Sequence, residues 1–305
     1  MYAVLSGGTG TPKLLQGLCS CLSPEDLFVV VNTGEDTWVS GTYLSPDIDS
    51  VLYACAGIID RERWYGIEGD SFVTHEAMVR LGYRELLRMG DRDRATKLYR
   101  TVRLAQGAPL SAVTAELCDR LGVAVPVAPM SDDPVTTRIH TEQGELSFHE
   151  YWVRDRARPA VTGVAYRGCA DAVPCAAVSR ALERARAVIL GPSNPVTSLG
   201  PILSLPGIRS RLEGRRVIAV SPFRGPGAFS GPADALMRGI GLAPDVGGLA
   251  DRYAGIADEL VIDRADADRA RELEGRGFVV HVTNIGMKDL YTQNRLGEYI
   301  RDILG

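Results

Sequence analysis

Tyr2-Ala3-Val4-Leu5-Ser6-Gly7-Gly8-Thr9-Gly10-Thr11-Pro12-Lys13, followed by an apolar-periodic segment from Leu14 to Leu18, decides the fold of this chain. The short apolar run predicts a strand and the periodic segment predicts a helix. Between them, glycines permit positive φ and close approach of a ligand to the backbone. Thr11 suits the helix cap, Pro12 suits its first turn, and the free N–H groups there attract anions. The stretch therefore predicts a phosphate site formed by Gly8, Thr9, Gly10, Thr11 and Lys13.

This glycine turn matches neither of the two standard nucleotide fingerprints. A Walker A loop would continue with Gly-Lys-Ser/Thr, and a dinucleotide loop would carry a third glycine where Lys13 stands. A tight turn without a ligand is the alternative, since glycines often only mark turns. The positive charge of Lys13 favours the phosphate site.

Acidic residues crowd the end of the second predicted strand, Leu27 to Val31. Asn32-Thr33-Gly34-Glu35-Asp36-Thr37-Trp38 follows it, and Ser45-Pro46-Asp47-Ile48-Asp49 adds two more carboxylates. Carboxylates beside a phosphate site would repel the ligand unless a divalent cation lay between them, and Mg²⁺ binds one or two carboxylates together with phosphate oxygens. We therefore expect Mg²⁺ on Asp36 and Asp49, with Glu35 and Asp47 as further candidates. Surface turn and cap acids are the alternative.

The composition indicates a large α/β domain with an insertion or a second small domain, because 305 residues that are 45% hydrophobic suffice for a full core. A net charge of −4 argues against a nucleic-acid or membrane partner. No apolar run approaches the roughly 18 residues of a membrane span. The cysteines lack zinc-type pairing, which favours a cytoplasmic protein. We expect buried free thiols at Cys19, Cys21, Cys55, Cys118, Cys169 and Cys175.

The order of elements predicts a Rossmann-like, doubly wound, mainly parallel sheet interrupted by a small helical insertion. Residues 56–122 read as helices, one of them from Tyr83 to Met89, and form the insertion. Residues 1–55 and 123–305 form the nucleotide-binding core. A helix is expected from Val51 to Ile59, across the first boundary between core and insertion. Thr136 to Thr141 and Glu145 to Val153 predict a hairpin, and strand-helix alternation follows from Pro174.

Ligands of such sheets bind at the carboxyl ends of the strands, where a third polar loop, Gly191-Pro192-Ser193-Asn194-Pro195, is expected to join the first two. Ser193 and Asn194 can bond a base, ribose or phosphate; an Asx turn between the prolines is the alternative. Three aromatic residues lie in predicted loops: Trp38, Trp64 and Tyr65. Each is equally suited to stack on a flat ring of a ligand or to pack against the protein.

Six motifs in the same order closely resemble the 2-phospho-L-lactate transferase family: Leu5 to Leu15, Val31 to Trp38, Ser45 to Asp49, Gly90-Asp91-Arg92-Asp93-Arg94-Ala95, Met130-Ser131-Asp132-Asp133-Pro134 and Gly191 to Pro195. The resemblance implies a Rossmann-like domain with a helical insertion. It also implies a transferase that moves the phospholactyl group of lactyl-2-diphospho-5′-guanosine to the deazaflavin Fo. GMP is released, the precursor of coenzyme F-420 is formed, and Mg²⁺ is the expected ion.

The same resemblance assigns roles to individual residues. Acceptor contacts fall on Asp49 and Arg88, and Asp49 or a neighbour would orient or deprotonate the attacking hydroxyl. Lys13 and the metal would neutralise the diphosphate, so catalysis rests on positioning and charge stabilisation without a covalent intermediate. The partners expected are Fo and the guanine-nucleotide donor. Phosphoenolpyruvate in place of phospholactate, and a homodimer, are left open.

Two other functions remain as alternatives. The first is a nucleotide-sugar-binding regulatory protein of the same superfamily. The UDP-sugar-binding gluconeogenesis factors, a related group, share the Gly-Gly-Thr-Gly turn of this chain. Their second strand looks to end in a glycine- and serine-rich loop, whereas here it ends in Asn32 to Trp38, which favours the transferase. The second is a Rossmann dehydrogenase, in which Glu35 and Asp36 would be the ribose ligands. The glycine turn of this chain, however, lacks the third glycine of that fingerprint.

Overall fold

The computed structural model describes residues 1–225, 227–229 and 231–305. Its strands are β1 (Tyr2–Ser6), β2 (Leu27–Val31), β3 (Thr37–Val39), β4 (Thr42–Leu44), β5 (Val127–Pro129), β6 (Thr136–Thr141), β7 (Gly144–Ser147), β8 (Val161–Arg167), β9 (Ala187–Leu190), β10 (Arg216–Val220), β11 (Phe223–Arg224), β12 (Gly227–Ala228), β13 (Glu259–Asp263) and β14 (Val279–Thr283). Its α-helices are α1 (Gly10–Cys19), α2 (Pro46–Cys55), α3 (Val73–Arg80), α4 (Asp91–Ala105), α5 (Leu110–Leu121), α6 (Ala176–Arg184), α7 (Leu199–Ser204), α8 (Ile208–Leu212), α9 (Ala233–Gly239), α10 (Val246–Tyr253), α11 (Ala270–Gly275) and α12 (Leu290–Leu304).

A seven-stranded parallel sheet forms the centre of the described part of the chain, in the order β14-β13-β10-β9-β1-β2-β5. All five residues of β1 are buried because helices cover both faces of the sheet. The strand lies between β2 and β9, with Val4 opposite Val29 on one side and Ile189 on the other. The predicted doubly wound, mainly parallel α/β sheet is confirmed.

Two hydrophobic clusters lie on opposite faces of this sheet, because successive side chains of a strand alternate between faces. Ala3 and Leu5 belong to one cluster, and Tyr2 and Val4 belong to the other, together with the apolar faces of α1, α2, α5 and α12. On this second face α1 and α12 approach closely. A Cβ on Gly17 would lie 2.0 Å from the carbonyl oxygen of Gln293, and one on Gly297 would lie 2.3 Å from the backbone of Gly17.

The predicted hairpin is present, but its second strand is shorter than expected. β6 pairs with β7 and also with β8 in an antiparallel sheet. β7 ends at Ser147 rather than at Val153, because residues Glu150–Arg154 form a helical turn. No helix in the described ranges is both long enough and apolar enough to cross a bilayer.

The region 56–122 contains three α-helices among its residues, all of which the structure describes. The helix predicted from Tyr83 to Met89 is wrong, since a segment this short has little helical stability of its own. The buried carboxylate of Glu85 within it instead pairs with Arg94 and lies within hydrogen-bonding distance of Nδ1 of His75, both at 2.7 Å. Leu110 and Val113 of α5 join the core cluster of the sheet. The boundary of the insertion at 56–122 stays a prediction.

Candidate active site

The glycine loop after β1 interlocks with the loop after β9. Gly8 has a φ of 57°, the left-handed conformation that glycine adopts without strain. The Ser193 hydroxyl donates to the carbonyl oxygen of Gly7 and lies 2.6 Å from the Thr11 hydroxyl. A Cβ on Gly10 would lie 1.8 Å from the carbonyl oxygen of Pro192. The two loops therefore meet at one rim, and Ser193 is engaged in holding them together.

Asn194 forms the Asx turn that the sequence left open. Its side-chain oxygen accepts from the N–H groups of Val196 at 2.9 Å and Thr197 at 3.3 Å. These bonds fix the loop that faces Gly7, where a Cβ would lie 2.7 Å from the Cβ of Ser198. The nucleotide-binding roles of Ser193 and Asn194 stay predictions, since part of each side chain serves the loop itself.

Asp47 lies beside the glycine loop because it is in the first turn of α2, and this helix begins earlier in the chain than predicted. The helix starts at Pro46 rather than at Val51, and proline is favoured in this first turn. Asp47 and Asp49 thus lie in the first turn of a helix, where the helix dipole favours negative charge. The predicted start of the helix at Val51 is therefore wrong, and the segment Ser45 to Asp49 leads into the helix instead of preceding it as a loop.

Asn32 connects this helix start to both other loops. Its amide nitrogen donates to Oδ2 of Asp47 at 2.8 Å and to the carbonyl oxygen of Thr197 at 3.2 Å. Burial raises the pKa of Asp47 to about 6, although hydrogen bonds from Asn32 and from the backbone of Gly8 lower it in part. The carboxylate of Asp47 therefore contacts the glycine loop directly.

Glu35 and Asp36 form the acidic part of the site in which burial outweighs the compensating interactions. Burial raises the pKa of each well above its usual range, and the charge of Asp47 raises both further. The Ser45 hydroxyl donates to Oδ2 of Asp36 at 2.7 Å, while Oδ1 of Asp36 is buried without a hydrogen-bond partner in the described ranges. An orphaned carboxylate oxygen of this kind fits a cation.

Asp49 has the opposite environment, because two buried cations contact it. Arg100 donates to both of its carboxylate oxygens, and Nζ of Lys97 lies 3.4 Å from Oδ2. Burial alone would raise the pKa of Asp49, but Arg100 and Lys97 outweigh it, so the pKa is lowered. Lys97 also pairs with Asp93, whose carboxylate accepts from the Tyr53 hydroxyl at 2.9 Å. Asp49 is therefore ionised and fixed in place.

The two predicted metal ligands thus differ. Asp36 has an oxygen available for Mg²⁺, whereas Arg100 and Lys97 occupy the oxygens of Asp49. Among the residues that the structure describes, no group of three or more His, Cys, Asp or Glu side chains is arranged to hold a metal ion. The site as it stands offers a cation Asp36 and the neighbouring acids rather than a complete protein cage, which suits an ion that also binds substrate phosphate.

Lys13 links the glycine loop to the region between α2 and α3. Its Nζ lies 4.9 Å from the ring centroid of Trp64, and burial lowers the pKa of Lys13. Trp64 is buried, whereas Trp38 and Tyr65 are 61% and 55% exposed. Trp64 therefore packs beside the lysine. Trp38 packs edge-on against Tyr43, with ring centroids 5.5 Å apart, and both Trp38 and Tyr65 expose ring surface to a ligand.

Arg88 borders a small cleft together with Tyr65, Phe72 and Asp93. Its guanidinium carbon lies 3.8 Å from the centroid of the Phe72 ring. Arg88 and Asp49 do not contact one another directly; Asp93 lines the cleft and connects to Asp49 through Lys97.

A larger cavity, about 200 Å³, lies beyond the end of β5, between Trp38, Tyr43 and the loop Ser131 to Pro134. The two acids of that loop are structural. Asp132 accepts from the N–H of Ser111 at 2.6 Å and from its hydroxyl at 2.8 Å, so it caps α5. The Met130 to Pro134 motif therefore shapes the rim of this cavity.

Sequence reasoning missed the buried cations of α4 that contact Asp49. A signal was available, because Asp93, Lys97 and Arg100 are spaced four and three residues apart and so share one face of a helix. Charged residues on a helix usually face solvent, and only the structure places this face against α2.

Comparisons with known proteins identify the family of this chain. A family model described as "2-phospho-L-lactate transferase CofD" matches residues 3–285. The 2-phospho-L-lactate transferase of Methanopyrus kandleri is 49% identical over 305 residues, covering 99% of this chain and 96% of the relative. That of Methanocaldococcus jannaschii is 45% identical and covers 100% of this chain and 98% of the relative.

A solved structure of a UPF0052 family member from Bacillus halodurans has a similar fold, with a TM-score of 0.67 and 18% identity over 98% of both chains. At this identity the likeness concerns the fold alone. The family match and the relatives, by contrast, span nearly the whole sequence at close to half identity. The chain therefore belongs to the 2-phospho-L-lactate transferase family and is a transferase.

Proposed function

We propose that this transferase moves the phospholactyl group of lactyl-2-diphospho-5′-guanosine to the ribityl hydroxyl of the deazaflavin Fo, releasing GMP and forming the precursor of coenzyme F-420. The observation that carries the proposal is the contact between the glycine loop and the acidic start of α2, through the backbone of Gly8 and Asp47. The groups that would bind phosphate and a cation thereby share one rim, which supports a diphosphate substrate.

In the proposed reaction the hydroxyl oxygen attacks the phosphorus atom that bears the lactyl group. One phosphodiester bond forms, the pyrophosphate bond breaks, GMP leaves, and the hydroxyl proton passes to a carboxylate of the site or to solvent. The start of α1 and Lys13 would hold the diphosphate charge. Asp49 is kept ionised by Arg100 and Lys97, which share its Oδ2, whereas Arg100 is the single donor to Oδ1 in the described residues. Oδ1 would accept a further hydrogen bond from the hydroxyl and orient it.

The cation of this site would be Mg²⁺, held by Asp36 and supplemented by Glu35 or Asp47. It would neutralise phosphate charge. We expect Asp36→Asn to raise the Mg²⁺ concentration for half-maximal activity roughly tenfold or more, because one charged ligand is lost. Magnesium titration of the activity measures this, with Asp119→Asn on the exposed face of α5 as the control. Full activity of the wild type in EDTA would remove the metal from the proposal.

The acceptor would bind near Arg88, whose charged donors lie beside exposed Tyr65. We expect Arg88→Ala to weaken Fo binding by about 1 to 3 kcal/mol, since a charged hydrogen bond is removed, and to leave guanine-nucleotide binding unchanged. Titration of Fo fluorescence measures the first, and GDP-dependent thermal stabilisation the second. Arg84→Ala, four residues earlier and also exposed, is the control. Unchanged Fo affinity in Arg88→Ala would place the acceptor elsewhere, with the larger cavity beside Trp38 as the next candidate.

The decisive test of the whole proposal is product identity. The protein is incubated with Fo, Mg²⁺ and either the phospholactyl donor or its phosphoenolpyruvyl analogue, and the product mass is read. A product that carries the phospholactyl group supports the proposal as stated. Binding of a UDP-sugar with no turnover of either donor would instead indicate the regulatory function that shares this glycine turn.

A further inference from the structure

Cys19 and Cys55 are the last residues of two neighbouring helices. Cys19 ends α1 and Cys55 ends α2, and the two helices pack side by side. The side-chain amide of Gln16, one turn before Cys19, donates to the carbonyl oxygen of Ala54 at 3.1 Å, directly before Cys55. The ends of the two helices are thus held together by a bond that involves neither thiol.

The two thiols lie close enough at this junction for each to shift the pKa of the other. The expectation of buried thiols is wrong for Cys19, which is exposed, while Cys55 is half-buried. Hydrogen bonding from Cys55 lowers the pKa of Cys19, more than burial raises it. Cys19 is therefore the accessible and more readily ionised thiol, and Cys55 is the protected thiol behind it, the arrangement of an attacking and a resolving cysteine.

We propose that Cys19 and Cys55 form a reversible disulfide that cross-links the C-terminal ends of α1 and α2. The oxidant is a low-molecular-weight disulfide. The Cys19 thiolate attacks one of its sulfur atoms and releases a first small thiol. The Cys55 thiol then loses its proton to solvent and attacks Sγ of Cys19, displacing the second small thiol. Two protein thiols are oxidised and one small disulfide is reduced to two thiols.

The cross-link would lie away from the candidate active site. The glycine loop and the acids of the site are at the opposite ends of α1 and α2, and each helix has ten residues, which is about 15 Å of helix. The disulfide closes the chain between residues 19 and 55 and restricts the unfolded state. We therefore expect thermal stabilisation with little change in activity, so this inference does not depend on the proposed function.

The test uses the wild-type protein, reduced and then incubated with oxidised glutathione. Free thiols should fall from the six present by two, and peptide mapping after alkylation should find a peptide pair linked through Cys19 and Cys55. Tm should rise by roughly 5 °C or more, and dithiothreitol should reverse both changes. A glutathione adduct that persists on Cys19, or an unchanged Tm, would overturn the proposal.

Cys21 provides a matched control, because it lies two residues beyond Cys19 and its thiol donates to the carbonyl oxygens of Gly17 and Leu18 at the end of α1. Cys21→Ser should keep the cross-link and the Tm rise, whereas Cys19→Ser and Cys55→Ser should each lose both. A linked pair of Cys19 with Cys21, or of Cys55 with Cys118, in place of the proposed pair would contradict the inference without any variant.

Discussion

Replacing Arg100 by methionine should lower the free energy of unfolding by about 3 to 5 kcal/mol, because it leaves a buried carboxylate without its principal cation. The Arg100 side chain is fully buried and donates to both oxygens of Asp49. Methionine fills a similar volume, so the loss reports the charge rather than a cavity. Chemical denaturation measures it, and transferase activity should fall as well, since Asp49 is then no longer fixed.

Arg103→Met on the same helix is the control for this variant. Arg103 pairs with Glu116 at 2.8 Å, and both side chains are about one-third exposed, so its removal should change stability little. The double variant Arg100→Met/Asp49→Asn should recover part of the lost stability, because the unpaired charge is then removed. Equal destabilisation by Arg100→Met and Arg103→Met would mean that burial of the Asp49 pair is not what matters.

The loss caused by Arg100→Met should also depend on pH. Because the folded pKa of Asp49 is lowered, its pair contributes stability above the unfolded pKa of ~4. That contribution is lost as pH falls through the folded pKa. Protonated Asp49 needs no cation, so the difference between wild type and variant should shrink in acid. A difference that stays constant from neutral pH to pH 3 would contradict this account.

Gly10→Ala should abolish protection of the protein by guanine nucleotide. The added Cβ would lie 1.8 Å from the carbonyl oxygen of Pro192 and 2.9 Å from its carbonyl carbon. Both are backbone atoms, so the clash cannot be relieved by a side-chain rotation, and the loops after β1 and β9 must separate. Separation breaks the bonds of Ser193 to Gly7 and Thr11 and moves the start of α1. In the wild type, GDP at 100 times its Kd should add about 2.7 kcal/mol to the free energy of unfolding.

Gly275→Ala controls for the general effect of adding a methyl group to a glycine. Gly275 ends α11, and nothing lies within 4 Å of the position that its Cβ would take. This variant should retain the full nucleotide protection and equal or slightly exceed the wild type in stability. The Tm of Gly10→Ala without nucleotide must be measured beside it. A folded Gly10→Ala protein that GDP still protects would show that the glycine loop is not the nucleotide site.

The sequence predicted the sheet well because strand signals in a parallel sheet are local. β9 and β10 have the bounds that their β-branched runs indicate, since strands buried on both faces are apolar throughout. The start of α2 was predicted too late, because Asp47 and Asp49 looked like loop acids. Pro46 marked the true start, as proline favours the first turn of a helix.

The environment of the individual carboxylates was beyond sequence reasoning. Asp36 and Asp49 are both acids near the same strand end, yet one has an unpartnered oxygen and the other is paired with Arg100 and Lys97. Those cations come from α4, about 50 residues further along the chain, and their approach depends on tertiary packing. Pattern reasoning could name the acidic residues but could not distinguish a candidate cation ligand from a buried ion-pair member.

The close contact between Gly17 and Gly297 determines when, during synthesis, the apolar face of α1 can be covered. Helix α1 begins at the glycine loop, and α12, the helix that covers it, follows it in the chain only after all the other described helices. Its neighbour strand β1 likewise waits for β9, some 180 residues later. We therefore expect the apolar side of α1 to stay exposed in the nascent chain until α12 has been synthesised. Premature termination before α12 would yield an aggregation-prone fragment rather than a smaller working enzyme.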